Sequence, residues 1–186
     1  MKPGPWPASP VLEQKGRVST LPFCRLGGHN AYFDAMRENQ LNRPAVTVAT
    51  IVVRDRAFLL VEEETRDGVR LNQPAGHLEA GETLVNAAVR ETLEETGYRV
   101  APTALVGIYR WQAMTTGATF IRFAFAGDVV AHEAHRTLDQ GILRALWLPY
   151  DDLAARRDRH RSPLVLRCVD DYRTGLRQPL DLVTEM

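Results

Sequence analysis

The sequence has little of what marks a disulfide scaffold, a membrane span or a polyanion binder. Only two cysteines occur in 186 residues, Cys24 and Cys168, and they lack Cys-x-x-Cys spacing. That scarcity argues against a stapled fold and suits a reducing cytoplasm. No apolar run approaches the ~18–20 residues that a bilayer crossing needs. The N-terminus lacks the charged-then-apolar pattern of a secretory signal. Neither sign of charge is in excess, since 23 Lys and Arg balance 23 Asp and Glu. A general nucleic-acid or membrane-surface binder would need a basic surplus, so neither kind of partner is expected. A small anion site needs only a few local charges and stays open. The expectation is a cytoplasmic protein, monomer or homodimer, with one domain large enough to bury a core without staples.

The first stretch differs from the rest. Pro3, Pro5, Pro7 and Pro10 interrupt regular structure, and residues 1–42 read as a poorly ordered arm with a short helix near Ala31–Asn39. Met36, just before the first strong strand, is a candidate natural start of translation. Residues 43–186 read as the folded domain. Ala45–Val53 (AVTVATIVV) is β-branched and apolar, as for a strand buried on both faces. Arg54–Arg56 is a turn and Ala57–Val61 a second strand, making a hairpin. Asp67–Gly68 marks a turn and Gln73–Gly76 a loop. A helix is predicted over Thr83–Thr96, with Gly97 as its C-cap. Strands follow at Ala104–Trp111, Thr119–Val130 and Arg144–Leu148. A short helix is expected at Pro149–Arg157 and a last one at Ser162–Arg173, where Leu164, Cys168 and Tyr172 recur four apart beside Val165 and Val169. Strands and helices mix without strict alternation, so the fold class is α+β with a mixed β-sheet between helices.

The segment Gly76–Tyr98 carries the chemistry. Glu91, Glu94 and Glu95 stand at i, i+3 and i+4, on one face of the predicted helix. Val85, Ala88, Val89 and Thr92 fall on another face, available for packing. Three like charges on one face repel, more strongly where water is excluded. One arginine, Arg90, is available to offset them. Hard divalent cations favour carboxylate oxygens, and Mg²⁺ commonly binds one or two carboxylates together with substrate phosphates. Composition alone favours an ordinary solvated glutamate face, because glutamate is a good helix former. The full spacing reverses that preference. It runs Gly-x5-Glu-x7-Arg-Glu-U-x-Glu-Glu-x-Gly-U, with U usually aliphatic, and is filled by Gly76, Glu82, Arg90, Glu91, Glu94, Glu95 and Gly97.

By this pattern the chain resembles the Nudix superfamily. The two U positions depart from it, with Thr92 and Tyr98. The resemblance implies an αβα sandwich and a Mg²⁺- or Mn²⁺-dependent hydrolase of phosphoanhydride bonds. It implies Glu91 and Glu95 as metal ligands, and Glu94 as a further ligand or a water-positioning group. Arg90 would hold a glutamate in place, Glu82 would fix the loop or join the outer metal shell, and Gly76 would allow a sharp turn. The carbonyl of Ala75 is a further candidate contact to metal, and Gly97 is expected to do no more than stop the helix. Beyond the box, Arg43–Glu63, NQPAGHLEAGETL and the segment from Arg161 to Leu180 resemble a bacterial branch of the superfamily. Members of that branch release orthophosphate stepwise from nucleoside tri- and diphosphates and cleave the diphosphate of a thiamine-precursor pyrimidine. Leu71 departs from that branch, where a tryptophan is expected before Asn-Gln-Pro-Ala-Gly, and the loss of an aromatic there is expected to affect stacking on the substrate.

The small-molecule di- or triphosphate substrate needs further contacts. His77 in the box loop, Arg110 and Arg122 on predicted strands, and Trp111 as a stacking surface are candidates, each with a plain structural alternative. Glu133 and Asp139 are candidate general bases. Rival activities are hydrolysis of a dinucleoside polyphosphate, ADP-ribose or capped RNA, and, with no catalysis at all, nucleotide sensing.

Overall fold

The computed structural model of the chain describes residues 43–186. The arm and the helix expected at Ala31–Asn39 lie outside the described residues. Strands β1 (Ala45–Arg54) and β2 (Ala57–Thr65) form the expected hairpin. Asp55 and Arg56 both take positive φ, at 51° and 64°, which suits a two-residue turn whose twist matches that of the strands. β2 runs on to Thr65 rather than ending at Val61, because Val61–Thr65 pair with β3 (Gly68–Asn72). The mixed polarity of β3 concealed it from a periodicity reading. The loop expected at Gln73–Gly76 contains a short strand, β4 (Ala75–His77), laid antiparallel on β1 with Thr47 opposite His77.

Helix α1 (Leu84–Thr96) matches its predicted span. Thr83 caps its start, accepting a hydrogen bond from the Asn86 N–H at 3.1 Å. No acidic residue lies in the first turn. Glu185, far along the chain, supplies a carboxylate there and accepts from the Leu84 N–H at 3.0 Å. Gly97 ends the helix with φ 72°, and its N–H donates to the Leu93 carbonyl. It does more than stop the helix. A Cβ at Gly97 would stand 2.9 Å from the Glu133 carbonyl oxygen, so the chain after β6 passes too close for a side chain.

β5 (Tyr98–Gln112) begins well before the expected Ala104. Its early part includes Pro102 and several register irregularities against β6 (Thr119–His132). A proline cannot donate to the ladder, and such bulges accommodate it. β7 (Ile142–Pro149) follows and pairs with β2. The helix expected at Pro149–Arg157 is divided. α2 (Tyr150–Ala154) ends early, and Arg157–Arg159 forms a separate 3-10 turn. α3 (Leu164–Arg173) carries the predicted apolar stripe.

The sheet is mixed. Its strands run β3-β2-β1-β6-β5, with β4 paired to β1 and β7 to β2. β1 and β6 are parallel and place Thr47 beside Arg122. α1 packs on one face, where Leu84, Ala87 and Ala88 meet Val48, Leu105 and Phe125. α3 packs on the other, where Leu164, Val165 and Val169 meet Ile51, Leu60 and Leu71. The result is the α+β sandwich expected from the sequence. Among the described residues no helix is long and apolar enough to cross a membrane.

Candidate active site

The buried side of α1 differs from the expected one. Leu84, Ala87, Ala88, Thr92 and Thr96 are buried with Glu91 and Glu95, whereas Val85 and Val89 are only half-buried. The acidic face therefore meets the packing face at a seam, and the two inner glutamates sit in it. Thr92, where an aliphatic residue was expected, is accommodated by hydroxyl pairing. Its Oγ1 lies 2.7 Å from the Ala88 carbonyl and 2.9 Å from Thr50 Oγ1.

Arg90 organises the acids around it. Its Nη2 and Nε donate to the two oxygens of Glu82 at 2.6 and 3.0 Å. Its Nη1 donates to Glu91 Oε1 at 2.8 Å and to Glu94 Oε2 at 3.1 Å. The remaining Nη2 hydrogen reaches the His77 carbonyl at 3.0 Å. One planar fork thus ties the helix to the loop before it. Glu82 also accepts from the Glu79 N–H at 2.8 Å, closing that loop on itself.

Glu95 is held differently: among the described residues it accepts only from the Ala75 N–H, at 2.8 Å. Burial, opposed by that bond and reinforced by the charges of Glu91, Glu63 and Asp139, pushes its carboxyl up to about 8. Burial also raises Glu91, against the pull of Arg90. Two buried carboxylates that resist ionisation mark a place short of positive charge.

A cleft of about 740 Å³ opens beside them. Glu91 and Glu95 line it, as do His77, Trp111 and Arg122 from the expected set. Glu94 does not; it turns to Arg90 instead. Arg110 is exposed and also outside the cleft, because strand alternation sends it to the face opposite Trp111. Glu133 is paired with Arg99 and Arg136 on the surface, away from the cleft. Asp139 is exposed and does not line the cleft, although its N–H donates to the Glu94 carbonyl at 3.1 Å. Leu71 is fully buried in the core and does not line the cleft. The aromatic part of the cleft wall is Trp111 and Phe120, whose rings lie 5.5 Å apart at 25°.

Several lining residues were not anticipated, among them Thr47, Glu63, Phe120 and Arg161. Phe120 and Arg122 share a face by strand alternation, and that signal was readable once Arg122 was suspected. Glu63 had no such cue, since Glu62 beside it looks identical in sequence.

Among the described residues no three His, Cys, Asp or Glu side chains form a ready cage for a metal ion. Glu91 and Glu95 nevertheless fit a hard cation that takes only one or two protein carboxylates and completes its shell from substrate and water. A Cβ at position 76 would lie 2.1 Å from the Glu91 carboxyl carbon, so Gly76 leaves room for that carboxylate.

The chain is similar to known proteins over most of its length. The NUDIX domain family matches residues 41–168. Phosphatase NudJ from Escherichia coli (strain K12) is 38% identical over 141 residues, covering 76% of this chain and 91% of its own. A NUDIX hydrolase from Nitrosomonas europaea is 47% identical with a TM-score of 0.76, covering 77% of this chain and 98% of its own. A C. elegans Ap4A hydrolase shares the fold alone, at 18% identity and a TM-score of 0.55 over 70% of this chain and 98% of its own.

Proposed function

This chain belongs to the NUDIX domain family and is a hydrolase of phosphoanhydride bonds, and from that membership we propose that it removes orthophosphate from small nucleoside or pyrimidine di- and triphosphates with Mg²⁺ or Mn²⁺. The likeness to phosphatase NudJ over most of both chains supports this substrate class. The observation that carries the reading is the pair Glu91 and Glu95, both 9% exposed and both lining the cleft. When bound there, a divalent cation would offset diphosphate charge and acidify an attacking water.

The chain's own groups have separate tasks. Glu91 and Glu95 would hold the cation, each with one oxygen already fixed, by Arg90 and by the Ala75 N–H respectively. Glu94 and Glu82 act through Arg90, which holds the loop at His77 against the helix. Arg161 gives the cleft a cationic side and attracts phosphate oxygens. Trp111 offers a ring face to the rest of the substrate. The protein acts in the cytoplasm, in keeping with its buried free thiol at Cys168.

The test is direct phosphate release from GDP with Mg²⁺ and no added phosphatase, with both products identified by mass. Orthophosphate and GMP are expected. Pyrophosphate and GMP from GTP, with GDP left intact, would assign the chain to a pyrophosphohydrolase activity instead.

A further inference from the structure

Three buried side-chain atoms have no hydrogen-bond partner among the described residues: Thr47 Oγ1, Glu63 Oε1 and Arg122 Nε. All three residues line the cleft. A buried polar atom left unpaired is costly, so three in one place point to a ligand that completes them. They are adjacent by construction. Thr47 and Arg122 are register partners on β1 and β6, and the charges of Glu63 and Arg122 act on one another. Arg122 is 8% exposed. Its Nη1 reaches Asn72 Oδ1 and Gln73 Oε1 only at 3.5 Å, the limit of a hydrogen bond. Arg161 Nε stands 3.7 Å from Glu63 Oε1, too far to satisfy it. The neighbouring Glu62 differs, with one oxygen bonded to Arg144 and the other to Arg159.

The signs of these groups narrow the ligand. A phosphate would suit Arg122 but be repelled by Glu63. A bare cation would suit Glu63 but be repelled by Arg122. An uncharged group with an N–H donor next to an acceptor satisfies both at once. Planar heterocycles carry such an edge, and the stacked rings of Trp111 and Phe120 line the same cleft. We propose that Glu63, Arg122 and Thr47 form the specificity site of this enzyme, reading the amide or amidine edge of a nucleobase-like heterocycle. The ring N–H of an amide edge, or the exocyclic N–H of an amidine edge, donates to Glu63, the neighbouring carbonyl oxygen or ring nitrogen accepts from Arg122, and Thr47 takes a further polar atom.

This assignment deepens the phosphohydrolase reading but is tested apart from it, with ligands that contain no phosphate. The full chain is titrated calorimetrically, with divalent cations chelated, against guanosine, adenosine, cytidine and uridine, with ribose as the base-free control. At least one nucleoside should bind and ribose should not. Glu63→Gln should weaken that nucleoside by about tenfold, the usual difference between a charge-assisted hydrogen bond and a neutral one. Wild-type protein should also bind 1-methylguanosine or N6,N6-dimethyladenosine about tenfold more weakly than the parent nucleoside, which keeps the test valid if the variant does not fold. Failure of every nucleoside to bind, or equal binding by Glu63→Gln and of the methylated analogues, would overturn the assignment. So would a Mn²⁺ titration in which Glu63→Gln loses one bound ion, since Glu63 would then be a cation ligand.

Discussion

The carboxyl group of Glu91 occupies the space that a side chain at Gly76 would need: an added Cβ would stand 2.1 Å from both its Cδ and its Oε1. Glu91, the flexible partner in this clash, would swing away and break its contact with Arg90. Gly76→Ala should therefore lower turnover by about 100-fold or more, as expected when a reacting centre is displaced by an ångström. Stability should fall by about 1–3 kcal/mol, typical of overpacking. Steady-state kinetics together with thermal melting would check both. Turnover close to wild type would mean that Glu91 is not needed where it stands.

Arg90→Lys tests whether the guanidinium matters for its shape or for its charge. A lysine keeps the charge but cannot reach Glu82, Glu91, Glu94 and the His77 carbonyl together. Affinity for Mn²⁺ should fall about 10- to 100-fold, the usual loss when a group that orients a metal ligand is removed. Calorimetric Mn²⁺ titration would read it. Unchanged affinity would reduce Arg90 to a surface ion pair.

The pH dependence of stability follows from Glu95. Its carboxyl is pushed up to about 8 in the fold, mainly by burial, against 4.5 for the ordinary group. Below 4.5 both folded and unfolded chains hold the proton. Between the two values the unfolded chain gives it up first, so stability present at low pH is lost as pH rises and is gone above the folded value. Glu63 and Glu91 are raised in the same direction by burial. In chelator, the Tm of wild-type protein should fall between about pH 5 and about pH 8 relative to Glu95→Gln. Mg²⁺ should restore wild type and not the variant, and the variant should be nearly inactive although folded. A variant that keeps wild-type turnover would remove Glu95 from the cation site.

The paired hydroxyls of Thr50 and Thr92 give a prediction about stability alone. Thr92→Val leaves Thr50 Oγ1 with only the long 3.3 Å bond to the Ala88 carbonyl. It should cost about 1–2 kcal/mol, and so should Thr50→Val. Changing both should cost less than the sum, because no lone hydroxyl then remains buried. Urea denaturation of the four proteins in the cycle would measure the coupling, and strict additivity would deny the pairing.

The parts of the site that the sequence displayed are those made by short-range geometry. α1, its Thr83 and Gly97 caps and the Arg90 fork lie within one stretch of the chain, where helix period fixes who meets whom. The hidden parts come from strand register. Thr47 and Arg122 meet only because β1 and β6 run parallel in one alignment, and a slip of one residue would turn both away. Glu62 and Glu63 look alike in sequence but point to opposite sides of β2, one to paired arginines and one to the cleft. Arg110 faces away from the cleft for the same reason, since its neighbour Trp111 takes the inward place. β3 and the start of β5 escaped notice because polar residues and Pro102 break the alternation that marks a strand.

The bond from the Leu84 N–H to Glu185 gives α1 a foothold 101 residues downstream of its own start. The first turn of α1 thus leans on a residue far outside the glutamate segment itself. A protein altered at Glu185 would begin that helix with one N–H unanchored, and a change in its activity would speak of helix anchoring before it spoke of substrate.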